Sequence, residues 1–321
     1  MKVSIVIPVY NVKKYVKKCL KSLINGIGTR KFVEVIIVDD GSSDGSEVIV
    51  DEYQKRSNFK VFHKQNGGLS DARNYGLSKT NGEYVIFIDS DDEVDSNLFG
   101  DLLDNILKSN SDVLLWDAKI IDEESNFINS KDNEYYTHRG LVNMEVYDGI
   151  AAISHQLNNH FDFVTTVWLG AYKKSFLIEN QLYFEKGLLH EDELWTTKAL
   201  LLSQTVEYYN SPIYLYRQRS NSIMNSQAKS YERNLKDIIY IYSYLFTYID
   251  WKNLDLDFSK KLKGNLSRRY LHCLSKFDAY KYKKQLKKIK KVELLKNSYR
   301  LIDKIRCCLF VFSPFLCCKI K

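Results

Sequence analysis

The sequence predicts an α/β fold, a mostly parallel sheet flanked by helices and followed by a helical C-terminal region. It does so on three observations. Short apolar β-runs alternate with amphipathic helical segments through the first third of the chain. Two of those runs stop on acid clusters, Asp39-Asp40 and Asp89-Ser90-Asp91-Asp92. From Tyr231 onward the apolar spacing is helical, with lysines between. Alternating β and α segments imply parallel strands joined by crossover helices, and such sheets bind ligands beyond the carboxyl ends of their strands. Both acid clusters stand at such ends and should share one crevice.

The elements follow in order. Residues 3–9 are a buried β-run, after which Val12, Tyr15, Val16, Cys19, Leu20, Leu23 and Ile24 recur at helical spacing with lysines opposite. Residues 33–38 form the second run, 46–53 a helix, 60–63 a short strand and 69–77 another helix, before 84–88 delivers the second acid cluster. Beyond the run at 113–116 the alternation decays, and 122–136 is polar enough for a loop or hairpin. Residues 191–202 read as a helix, and 206–209 and 213–216 as two strands broken by Pro212. The domain boundary is expected near 225–230, dividing an α/β domain (1–225) from a helical, basic region (226–321).

A chain of 321 residues with 45% apolar content has ample material for a core and fits one large or two small domains. The net charge of +7 is unevenly placed: residues 281–321 carry thirteen Lys and Arg against Glu293 and Asp303, net +11, leaving −4 for the rest. The first residues enter a β-run without the basic, apolar and small-residue succession of a signal peptide, and a cytoplasmic chain is expected. Cys19, Cys273, Cys307-Cys308 and Cys317-Cys318 show neither paired zinc spacing nor a framework of bridges, so free thiols are expected.

Three carboxylates within four positions at a strand end suit a divalent cation such as Mg²⁺ or Mn²⁺, commonly shared with a phosphate-bearing substrate. A lone D-x-D is equally a solvated acidic turn, so its company matters. Ile7-Pro8-Val9-Tyr10-Asn11, Val38-Asp39-Asp40-Gly41-Ser42-Ser43-Asp44, Gly68-Leu69-Ser70-Asp71-Ala72-Arg73-Asn74-Tyr75-Gly76, the acid cluster, and His190-Glu191-Asp192-Glu193 stand in order along the chain. Together they resemble the family 2 glycosyltransferases, inverting enzymes of the GT-A, Rossmann-like nucleotide-diphospho-sugar transferase fold. The resemblance covers roughly residues 3–225 and extends to Tyr216-Arg217-Gln218-Arg219-Ser220-Asn221-Ser222-Ile223, which looks like the distal loop of bacterial capsule, exopolysaccharide and O-antigen members.

The resemblance implies a nucleotide-binding half (about 1–115), an acceptor half (about 116–225) and a role for each motif. Asp40 would read the uracil N3–H while Pro8 and Tyr10 wall the base, and Asp39 would serve the turn. Arg73 would join the nucleotide pocket; its other reading is a surface ion pair with Asp71. Asp91 would hold the metal, with Asp89 beside it or near the ribose and Ser90 between them in the donor site. Asp92 would be either a group behind the metal or a helix cap. Asp192 would be the catalytic base, with Glu191 as fallback, and Arg217 and Arg219 would close over the diphosphate. Trp168, Tyr172 and Trp195 are either sugar-stacking or core aromatics.

The implied activity is metal-dependent transfer of a hexose from a UDP-sugar to a saccharide acceptor, one sugar per encounter, since the Gln-x-x-Arg-Trp motif that processive synthases of the family carry is absent. The acceptor would be linked to a lipid such as undecaprenyl diphosphate, with the basic C-terminal region on the inner face of the cell membrane. Nucleic acid is not an expected partner. The alternatives are a sugar nucleotidyltransferase, whose glycine-rich basic loop is missing after the first strand, and a non-catalytic UDP-sugar-binding protein of the same fold. The Pro that commonly follows the acid cluster is replaced by Asp95-Ser96-Asn97, read as loop variation.

Overall fold

The computed structural model describes residues 2–219, 227–277, 281–286 and 289–312. The Ser220 to Ile223 part of the distal loop, Lys287-Lys288, Ser313-Pro314 and Cys317-Cys318 lie outside the described residues. The chain runs β1 (Val3–Val9), α1 (Val16–Ile27), β2 (Val33–Asp39), α2 (Ser46–Asp51), β3 (Phe59–His63), α3 (Leu69–Lys79), β4 (Tyr84–Phe87), β5 (Glu93–Val94), α4 (Ser96–Ile106) and β6 (Val113–Ile121). Then come β7 (Val146–Tyr147), α5 (Gly149–His160), β8 (Gly170–Lys173), α6 (Lys174–Glu179), α7 (Glu191–Leu202) and β9 (Val206–Arg217). The remaining helices are α8 (Gln227–Tyr248), α9 (Leu256–Leu274), α10 (Lys283–Leu286), α11 (Lys291–Asn297) and α12 (Leu301–Phe312).

Among the described residues the strands form one sheet in the order β3-β2-β1-β4-β8-β6-β9-β5, with β7 also on β9. The half made by β3, β2, β1 and β4 is parallel throughout, whereas β8 runs antiparallel to both β4 and β6. Parallel character is therefore concentrated where apolar runs alternate with helices, and the sheet as a whole is mixed. Strands β1 and β2 are buried at every position, as a parallel sheet covered on both faces requires. Strand order reverses at β1, between β2 and β4, so the crevice for a ligand opens beyond the carboxyl ends of these strands.

Several elements differ from expectation. Asp95-Ser96-Asn97 is a helix start: the Asp95 carboxylate accepts from the Asn97 and Leu98 amides and caps α4, which buries Phe99, Leu102, Leu103 and Ile106. Pro212 does not break β9. It sits opposite Asp117 at a register shift in the β6 pairing, between the stretches of β9 that pair with β7 and β5, where its missing N–H costs nothing.

The chain divides into two compact units, Met1–His155 with Phe163–Ser220, and Gln156–Asp162 with Asn221–Lys321. In the second unit α8 and α9 bury Leu235, Ile238, Ile241, Tyr242 and Leu245 against a set that includes Leu262, Leu266 and Tyr270. The Tyr242 and Tyr270 rings stack at 4.9 Å. Among the described residues no helix is long and apolar enough to cross a membrane, and Cys19, Cys307 and Cys308 are free thiols.

Candidate active site

The loop after β1 and the loop after β2 are tied together. The Asn11 amide donates to Ser42 Oγ (3.1 Å) and the Ser43 amide to Asn11 Oδ1 (2.9 Å). The Val12 amide donates to Ser46 Oγ and the Lys13 amide to Asp44 Oδ2, each at 2.9 Å. Pro8 is buried within β1, and Tyr10, just past its end, is 49% exposed at this mouth.

Asp39 serves its turn, accepting the Ser42 amide through Oδ1 (3.1 Å), while Oδ2 pairs with His63 (2.9 Å). Buried Asp40 accepts the amides of Gly67 (2.9 Å) and Gly68 (2.7 Å) and the Lys64 ammonium (2.5 Å). A carboxylate offers about four acceptor directions, so these bonds leave room for one more donor. Gly68 has φ +86°, a conformation that favours glycine, and a Cβ at Gly67 would stand 2.3 Å from Asp71 Oδ2, so that carboxylate would have to move.

The acid cluster forms a turn in which the Asp92 amide donates to the Asp89 carbonyl. Asp92 is buried behind it, accepting the Tyr214 hydroxyl (2.7 Å) and the Arg217 amide (2.7 Å). It thus fastens the turn to β9 and caps no helix. Burial, then the Asp91 and Asp89 charges, push its carboxyl well above the ordinary range. Ser90 is also buried. Asp91 pairs with Arg219 at 2.5 Å; burial raises its carboxyl, with Arg219 opposing and Asp89 adding.

Arg73 is 2% exposed and spans the site. One terminal nitrogen donates to Asp89 (2.6 Å) and the other to Glu191 (2.5 Å), with the guanidinium 5.3 Å from the Phe184 ring centre. The alternative pair with Asp71 does not form, because Asp71 is taken by Lys64 (2.7 Å) and Lys186 (2.6 Å). Arg73 therefore brings together the acid turn after β4 and the start of α7. There Glu191 is buried and Asp192 half-buried, and desolvation, then the charges of Glu191 and Glu193, raise the Asp192 carboxyl well above its usual range.

Arg217 stands apart from the expected diphosphate role. Its side chain is fully buried, donating to the carbonyls of Asp91 (2.9 Å), Asp122 (2.7 Å) and Glu123 (3.0 Å) and pairing with Glu93. Every guanidinium nitrogen is engaged, so the residue clamps the polar 122–125 turn to the acid cluster. Arg219 remains near the turn, with Tyr15 under both guanidinium groups. The aromatic candidates are core: Trp168 stacks on Tyr214 (4.2 Å), Trp195 on Phe184 (4.7 Å), and Tyr172 is fully buried.

Sequence reasoning did not find Lys64, Tyr214 or Tyr15. Each acts through a partner from a distant segment, and no local pattern announces such a pairing. The donor set near the turn is all oxygen. Among the described residues no group of three or more His, Cys, Asp and Glu side chains is arranged to hold a metal ion. Two carboxylates, Asp89 and Asp91, are what an ion shared with a diphosphate takes from its protein, the diphosphate and water completing the shell. The residues present fit such an ion.

A sheet whose order reverses at β1, with a carboxylate turn beyond β4 tied through Arg73 to an acidic helix start, is the frame of the GT-A fold. The chain belongs to glycosyl transferase family 2, whose family model matches residues 4–168. It is 29% identical over 285 residues to the glycosyltransferase GlyG of Streptococcus pneumoniae, covering 87% of this chain and 92% of that one. It is 32% identical over 241 residues to GlyA of the same organism, covering 74% of this chain but only 33% of GlyA. The crystal structure of Staphylococcus aureus TarS 1-349 in complex with UDP-GlcNAc superposes with a TM-score of 0.65 at 25% identity, covering 96% of this chain and 81% of that one.

Proposed function

We propose that the chain transfers a hexose from a UDP-sugar, with inversion and one sugar per encounter, to a saccharide acceptor in bacterial surface polysaccharide assembly. The observation that carries this is the Arg73 bridge, which joins the acid turn on the donor side to the helix start bearing Asp192. That TarS structure holds UDP-GlcNAc, and its name as a poly(ribitol-phosphate) β-N-acetylglucosaminyltransferase describes transfer to a polymer. Both facts support the reading by analogy.

Asp192 acts as the base, taking the acceptor hydroxyl proton as the sugar carbon is attacked opposite the departing UDP. Its raised carboxyl suits the task, since a base works best with a pKa near the operating pH. Glu191, held by Arg73, positions it. Asp40 uses its remaining acceptor direction on uracil N3–H, with Pro8 and Tyr10 walling the base and Ser90 lining the donor side. Asp91 and Asp89 would hold Mn²⁺ or Mg²⁺, which when bound would offset charge on the leaving diphosphate. Arg219 adds positive charge to the diphosphate, and Arg217 acts by holding the turn. Residues 1–115 serve the nucleotide and 116–225 the acceptor. The acceptor is lipid-linked, and residues 226–321 keep the protein on the inner face of the membrane.

The test is UDP release from a panel of UDP-hexoses in Mn²⁺ and in EDTA. Asp192→Asn is expected to lower turnover about 10²- to 10⁴-fold while UDP binding by calorimetry stays unchanged. Asp91→Ala should lose the metal-dependent UDP release. Full turnover in Asp192→Asn would remove Asp192 from the role of base.

A further inference from the structure

Helix α12 presents its apolar side outward. Leu301, Ile302, Ile305 and Phe312 are 75%, 59%, 53% and 86% exposed. At about 3.6 residues per turn these four, with half-buried Cys308 and Leu309, fall within about a third of the helix circumference. The opposite side carries Asp303, Cys307 and Phe310, all buried, and Asp303 is neutralised by Arg300 at 2.7 Å. So the helix already has a packed face, and the exposed apolar one is a second. Lys304 borders it on one side and Arg306 on the other. This is the layout of a helix lying in a bilayer interface, with apolar side chains inserted and basic ones reaching the headgroups.

The surroundings supply the charge. Alongside α12 a groove brings Lys290, Lys291 and Lys296 together with one acid, Glu293, beside Val292 and Val311. The Lys290 side chain is 85% exposed and its nearest acid, Glu293, stands 3.7 Å away. Glu293 and buried Asp303 are the only acids in residues 281–321, against thirteen basic residues. A second copy of the chain would bring the same positive charge to this face, so charge complementarity favours an anionic partner. A partner that is both anionic and apolar beneath its charge is a lipid surface. Over its twelve described residues, about 18 Å, the apolar side chains outside the packed face lie along one side, the form of a helix lying in the bilayer plane.

We infer that the outward face of α12, with the lysine groove beside it, docks in the plane of an anionic lipid bilayer. This deepens the membrane association proposed above and is independent of the donor chemistry. The test uses the full chain in sedimentation with vesicles of phosphatidylcholine alone and of equal parts phosphatidylcholine and phosphatidylglycerol. The doubly substituted Ile302→Glu, Ile305→Glu protein, altered only at exposed positions, is the comparison. The unaltered chain is expected to bind the anionic vesicles at least about tenfold more tightly than the neutral ones, and less tightly as salt rises. The double variant should lose at least about tenfold in binding and keep its UDP release in solution.

Equal binding by both proteins would overturn the inference, as would failure of the unaltered chain to bind anionic vesicles. A concentration-dependent dimer that the double substitution dissolves would also overturn it, by assigning the face to a second copy. If vesicle binding fails while UDP release persists, the docking surface alone is wrong. If binding persists while no donor yields UDP, the transferase reading is the one that fails.

Discussion

Arg73 concentrates the electrostatics of the site in one side chain. A buried guanidinium between two carboxylates, one 25% exposed and one 8%, satisfies charges that could not stay buried alone. Removing one member of a buried pair costs more than the pair contributes, because the remaining charge is left without a counter-ion. Arg73→Met is therefore expected to destabilise the protein by about 3–5 kcal/mol, read from urea midpoints, and to lower turnover further than Glu191→Gln does. Arg73→Lys should recover only part of either effect, since an ammonium lacks the fork that reaches both acids. An unchanged urea midpoint in Arg73→Met would mean that the two acids find other partners. Asp192 carries a second expectation at this scale. Its carboxyl is raised, so the base is protonated and idle at low pH. The rising limb of kcat against pH should accordingly lie above the ordinary carboxylate range, and disappear in Asp192→Asn.

Between elements, Glu34 does for the sheet what Arg73 does for the site. Its buried carboxylate on β2 accepts from Ser4 Oγ on β1 (2.7 Å), Lys60 on β3 (2.9 Å), and the amide and side chain of Asn81 before β4. Burial alone would raise its pKa, but these bonds outweigh it and hold the value at about 2, against 4.5 when free. A lowered folded pKa contributes stability that is complete above the unfolded value and is lost as pH falls through the folded one. The stability of the chain should thus fall between about pH 4.5 and 2 by on the order of 2 kcal/mol more than that of Glu34→Gln, Lys60 being exposed and its pair screened. Parallel urea midpoints for the two proteins across that window would refute it. The strands themselves are legible, because β1, β2 and β4 are short apolar runs, β2 ended by Asp40-Gly41-Ser42, β4 by Asp89-Ser90 and β1 by Tyr10-Asn11. Helix α4 is also announced, by the Asp95 cap and the Phe99, Leu102, Leu103, Ile106 spacing, although a loop is expected there from Asp95-Ser96-Asn97. The continuity of β9 was not legible, since what tolerates Pro212 is a register shift in a strand ninety residues away. In the site, the motif positions could be read from the chain, but the burial of Arg217 and the occupation of Asp40 by Lys64 and two amides could not, both being set by distant segments.

At the scale of the molecule, the end of α5 belongs with the second unit. Asp162 accepts from Asn265 Nδ2 (2.9 Å) and Arg269 Nε (2.6 Å) and pairs with Arg268 at 2.6 Å. The Phe161 carbonyl accepts from Asn265 and Arg268. Burial would raise the Asp162 carboxyl, but the two arginines and Asn265 hold it well below the usual range. No sequence pattern marks residues 156–162 as part of the helical unit, because the signal is a charge pairing more than a hundred residues apart. The consequence is that the chain cannot be cut cleanly at residue 220. A fragment ending there would keep Asp162 and lose Arg268, Arg269 and Asn265, three partners of the 156–162 segment. That fragment should be less stable than the α/β unit is within the full chain, and Asp162→Asn in the fragment should cost little. In the full chain the same substitution leaves two arginines facing a neutral amide, and a loss of about 3 kcal/mol is expected. Urea unfolding of the four proteins decides it: an equal effect of Asp162→Asn in fragment and full chain would mean that this carboxylate is held by the first unit, not by the second.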